Sequence, residues 1–111
     1  MERERTFELS EMTWEDAESA LEGADFVALP TGSLEQHSVH LPLSVDTIRA
    51  ENMVNERAER APAHDLDVLA LPSLQYGESE HHMRYAGTVT LRPETYENVV
   101  VDIGESMHRH G

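Results

Sequence analysis

Two short apolar runs closed by proline constrain this chain more than any other feature: Phe26-Val27-Ala28-Leu29-Pro30 and Val68-Leu69-Ala70-Leu71-Pro72. Each is too short for a helix and lacks polar alternation, so each reads as a strand buried on both faces. Between them, residues 47–60 place Ile48, Val54 and Ala58 on one helical face, and Pro62 ends the helix. An earlier helix over residues 14–22 opens at Thr13, with Asp16 three positions on as in a capping box, and stops at Gly23. Thr88-Val89-Thr90-Leu91 reads as a third strand. Pro93 then opens a last helix with Tyr96, Val99, Val100, Ile103 and Met107 in one stripe and Gly111 as its cap. Trp14 and this stripe are assigned to the core.

Helices alternating with short strands predict an α/β layered fold with a mainly parallel sheet. In such sheets, sites form at the carboxyl ends of the strands. Each proline is followed by a long polar loop, residues 31–46 and 73–87. Both loops should emerge on one edge, and long loops inside a compact domain are usually functional. A chain of 111 residues makes a single domain, 1–111, with no room for a second. Only three strands and three helices are available, and a parallel sheet is covered on both faces. Apolar surface on the last helix and third strand is therefore expected to be left bare, with marginal stability or association as the outcome.

Charge narrows the partners. Eight basic residues, all arginine, stand against 22 acidic ones, a net charge of −14. The acids are spread along the chain, so they form an acidic surface rather than a tail. Nucleic acid and anionic membranes are excluded as partners, because both need Lys/Arg neutralisation. An acid excess without lysine fits a salt-rich cytoplasm, where repulsion is screened to within about 3 Å at ~1 M salt; an acidic mesophilic protein with biased codons is the alternative. There is no cysteine, hence no disulfide framework or thiolate site. Residues 1–12 carry Glu2, Arg3, Glu4 and Arg5 without an apolar core, unlike a signal peptide. No apolar run approaches a membrane span, and a cytoplasmic location is expected.

The first loop runs Pro30-Thr31-Gly32-Ser33-Leu34-Glu35-Gln36-His37-Ser38-Val39-His40-Leu41-Pro42-Leu43-Ser44-Val45-Asp46. It holds a Glu, two His and an Asp with no basic partner among them. Carboxylates beside neutral imidazoles suit a divalent cation such as zinc or manganese. If Glu35-Gln36-His37 is extended, Glu35 and His37 point the same way, and Asp46 returns at the start of the next helix. The residues alone are read equally well as structural, with Glu35 capping a turn, His37 satisfied within the loop and Asp46 capping the helix.

This wording closely resembles the creatininase family signature, in which Pro-x-Gly-Ser-x-Glu-Gln-His precedes His-Leu-Pro-Leu and an Asp. Tyr76-Gly77-Glu78-Ser79, then His82 and Gly87-Thr88, match the family's second block, and the likeness spans about residue 12 to 111. Departures are Ser38-Val39 for the usual Gly-Pro, Ala86 for a frequent Pro and His81 for a frequent Glu. The resemblance implies a three-layer α/β/α fold, incomplete in this chain, and two divalent ions, zinc and/or manganese. Glu35 would hold one ion, His37 the other, and Asp46 would bridge them. It implies hydrolysis of a C–N bond in a small cyclic amide or formamide by metal-activated water, and a homo-oligomer for a full-length member.

His40 is assigned to brace a ligand carboxylate. Ser79 and His82 are candidate substrate contacts or, equally, loop-stabilising groups. The family's pattern runs on past the position of Gly111 with another strand and a His-bearing loop, so the resemblance makes this chain an N-terminal portion of an amidohydrolase. The alternative is a non-catalytic remnant or interaction module of the same fold.

Overall fold

The computed structural model describes residues 7–111; Glu2, Arg3, Glu4 and Arg5 lie outside the described residues. Helix α1 spans Trp14–Gly23, and Thr13 caps it by accepting the Asp16 backbone N–H at 3.2 Å. Gly23 is its last helical residue rather than a left-handed stop beyond it. Strand β1 (Phe26–Ala28) pairs in parallel with β2 (Val68–Ala70), in the register Phe26 to Val68 and Ala28 to Ala70. Helix α2 (Val45–Arg60) is the crossover between them and begins two residues before the expected start, which draws Asp46 into its first turn. A 3-10 turn, Ala61–His64, carries Pro62 and ends at Asp65 in the left-handed region. Helix α3 spans Pro93–Arg109, with Gly111 in the left-handed region just past it. The chain is thus α/β with a parallel sheet, as expected.

The third strand is a correction. Residues 88–91 do not extend the sheet but make two isolated bridges, Val89 with Leu34 and Thr90 with Gly77. Both partners lie in the loops after β1 and β2, so the segment clamps those loops rather than adding to the strands. The loops also continue the parallel pairing between themselves: Leu74 N–H donates to the Pro30 carbonyl and Gly32 N–H to the Leu74 carbonyl, at 2.9 and 2.8 Å. Both loops therefore leave the same sheet edge side by side.

Among the described residues the buried apolar core is small: Ala58, Ala61, Leu69 and Ala70. Three expected core residues are exposed: Trp14 is 74% exposed, Phe26 60% and Ile48 47%. Ile48 loses its place to Thr47, which is buried because it packs on Gly32, where there is no side chain to hold it off. The α3 stripe is only half-buried. The chain exposes 8319 Å², where a closed globule of this mass exposes roughly 6200 Å². Its radius of gyration is 16.1 Å, against roughly 13 Å for a closed domain of this length. The assignment of Trp14 to the core is therefore a correction: among the described residues no element packs over it. No helix among these residues is long and apolar enough to cross a membrane.

Candidate metal centre

The first loop turns sharply at Ser38, which holds a left-handed backbone (φ 62°), and carries residues 38–42 outward; Val39 is 93% exposed. Before that turn, Ser33, Glu35 and His37 line the inner side of the loop. The Gly32–Thr47 packing brings the first turn of α2, and with it Asp46, against them. A helix N-terminus is a favourable place for a carboxylate, because its free N–H groups carry partial positive charge.

Glu35, His37 and Asp46 each offer a ligating atom within 4.8 Å of the others. His37 Nε2 lies 2.9 Å from Asp46 Oδ2, and the Ser33 hydroxyl donates to that same oxygen at 2.8 Å. The hydrogen bond from His37 holds the Asp46 carboxyl below the usual carboxylate range, with help from Ser33 and the positive field of His37 and Arg49; partial burial opposes them. Asp46 is therefore ionised at neutral pH and available as a ligand.

Glu35 is held from its other side. Ser79 Oγ donates to Oε1 at 2.9 Å, and His82 Nε2 lies 2.8 Å from Oε2. Ser79 is fully buried, 0% exposed, and its backbone N–H donates to Thr90 Oγ1 at 2.8 Å. The structure thus places Ser79 and His82 on Glu35 itself. His40, expected as a brace, is exposed past the Ser38 turn and makes no hydrogen bond to another described residue; Ser33 braces Asp46 instead.

His81 adds an exposed imidazole, its ring centre 4.1 Å from that of His82, and forms a second group of possible ligands with Glu35 and His82. Neither this group nor the Ser33–Asp46 bond was legible in the sequence. Both depend on how two loops far apart in the chain meet. One imidazole and two carboxylates, with no arginine in an ion pair with them among the described residues, form a donor set that suits a hard or borderline divalent cation.

A family model described as Creatininase, creatinine amidohydrolase, matches residues 10–111. A mycofactocin precursor peptide peptidase of Mycobacterium tuberculosis is 36% identical over 85 residues, covering 72% of this chain and 34% of that protein. A creatinine amidohydrolase of Pseudomonas putida is 33% identical over 109 residues, covering 93% of this chain and 40% of that one. Among solved structures, a manganese creatininase superposes with a TM-score of 0.81 at 31% identity, and a mutant creatininase of Zn–Zn type with 0.82 at 30%. These alignments cover 96% and 97% of this chain and 42% of each solved chain.

Proposed function

The chain belongs to the creatininase family, and from that membership we propose that it supplies the metal-binding part of a metal-dependent amidohydrolase. The observation that carries the reading is the convergence of Glu35, His37 and Asp46 within 4.8 Å at the edge where both loops emerge. These three would hold two divalent ions, zinc and/or manganese, Glu35 on one, His37 on the other and Asp46 between them. Bound cations at such a site polarise a scissile carbonyl and lower the pKa of water.

This chain's own residues prepare that chemistry. Ser33 turns Asp46 toward His37, and Ser79 and His82 fix both oxygens of Glu35. His37 Nε2 is bonded to Asp46 Oδ2, so metal uptake through that nitrogen would compete with the hydrogen bond.

The substrate class we propose goes beyond the bond type that the names of the two relatives share. Amidohydrolase and peptidase both name cleavage of a C–N amide bond, and we assign this chain to small cyclic amides or formamides. The chain spans 34% to 40% of the length of those relatives. Three protein ligands shared by two ions fall short of the three per ion typical of catalytic zinc. We therefore expect further ligands from outside these residues; the family resemblance adds a homo-oligomer for the full-length protein, and the acidic surface a salt-rich cytoplasm. The test is to assay this chain, and any longer product of its reading frame, with zinc and manganese against a panel of cyclic and formyl amides. Turnover by the longer product alone supports the reading. Equal turnover by the 111-residue chain would mean that these residues complete the site, and turnover by neither would favour the non-catalytic interaction module.

A further inference from the structure

We propose that Gln36 selects the tautomer of His82, and that the two act as a relay positioning the Glu35 carboxylate. The consequence for metal binding rests on Glu35 being a ligand; the relay itself does not. Its direction follows from groups that have only one option. The Ser38 backbone N–H can only donate, and it reaches Gln36 Oε1 at 2.8 Å. That contact turns the amide carbonyl toward Ser38 and leaves the Gln36 NH₂ facing His82 Nδ1 at 2.9 Å. An amide NH₂ also only donates, so Nδ1 must accept and carries no proton. The single proton of the neutral ring then sits on Nε2, 2.8 Å from Glu35 Oε2, and is donated to it.

The Ser38 N–H that fixes the Gln36 amide belongs to the residue at which the loop turns. With Ser79 Oγ on Oε1, the carboxylate receives a donor at each oxygen.

The relay also decides what His82 is not. Glu35, His81 and His82 lie close enough to hold an ion. Ligation through His82 Nε2, however, would move the ring proton to Nδ1 and set two donors face to face at the 2.9 Å contact with Gln36. His82 is therefore a positioning residue that donates to the Glu35 carboxylate, held by Gln36 in the tautomer that can do so, a role that outer groups commonly fill around metal sites.

The test is long-range proton–nitrogen correlation of the imidazoles in the ¹⁵N-labelled, metal-free 111-residue chain, with His82 assigned by its loss in His82→Leu. The expected pattern for His82 is an unprotonated Nδ1 and a protonated Nε2, and Gln36→Glu, which puts an acceptor against Nδ1, should place a proton on Nδ1 while Nε2 keeps its own. A wild-type ring protonated at Nδ1, or an unchanged pattern in Gln36→Glu, overturns the relay. Zinc titration supplies the second readout. Affinity should fall ~10- to 100-fold in His82→Leu and recover in His82→Gln, whose amide can still donate to Glu35; a loss that His82→Gln does not recover counts against positioning. The tautomer pattern decides the relay whether or not the wild type takes up zinc, which tests the metal reading separately.

Discussion

Ser38 holds a backbone conformation that is strained for any residue but glycine. It occupies the left-handed region (φ 62°) where a side chain costs about 1–2 kcal/mol, and it stands where the family usually has glycine. Ser38→Gly keeps the N–H that reaches Gln36 and removes the strain, so a thermal melt should give an unchanged or higher midpoint; a lower one would show that the hydroxyl matters. Asp46 makes the second prediction at this scale. Its folded-state pKa lies below the ordinary value, chiefly through the His37 hydrogen bond, so on acidification the unfolded chain takes up the proton first. The stabilisation is whole above the unfolded pKa of about 4 and is lost as pH falls through the depressed folded value. In denaturant titrations of metal-free protein, the advantage of wild type over Asp46→Asn should therefore shrink below pH ~4. An advantage that grows there would reverse the sign. Glu35, His37 and Asp46 were legible as a group because they share one stretch of chain. Ser33, Gln36 and Ser79 were visible as motif residues, but their partners were not, since hydrogen bonds across 13, 46 and 44 positions depend on tertiary approach.

At the scale of elements, the seat of α2 on the first loop sets the site. A Cβ at Gly32 would fall 2.5 Å from the Thr47 Cα, a backbone atom that cannot swing away. Gly32→Ala should thus destabilise the chain by roughly 1–3 kcal/mol, read in urea unfolding, and should weaken zinc uptake by displacing Asp46. Thr47→Ala should not rescue it, because the obstructing Cα remains; full rescue would place the obstruction in the side chain. The helices and the two proline-closed strands were readable from spacing and caps, with α2 off by one half-turn at its start. The third strand was misread for a physical reason. Thr88-Val89-Thr90-Leu91 has the composition of a strand, but its backbone groups are drawn to Leu34 and Gly77 in the loops rather than to a neighbouring strand. Composition carries no information about which partner is within reach.

The whole molecule is open and strongly charged. Exposed Trp14, Phe26 and Ile48 and a half-buried α3 stripe leave apolar surface that sequence patterning had assigned to the core. The net charge of −14 adds self-repulsion that salt screens. Melting midpoints should therefore climb from low salt to molar KCl, and a flat series would remove the case for a salt-adapted surface. The proposed function rests on Glu35, His37 and Asp46 forming a cation site. The direct measurement is zinc and manganese binding by calorimetry to the metal-free chain and to His37→Ala and Asp46→Ala, with circular dichroism verifying the fold of each. The wild type should take up metal, and its affinity should weaken at least about tenfold in each folded variant, a loss of ~1.4 kcal/mol or more. Wild-type affinity in both folded variants, or no uptake by the wild type, would contradict it.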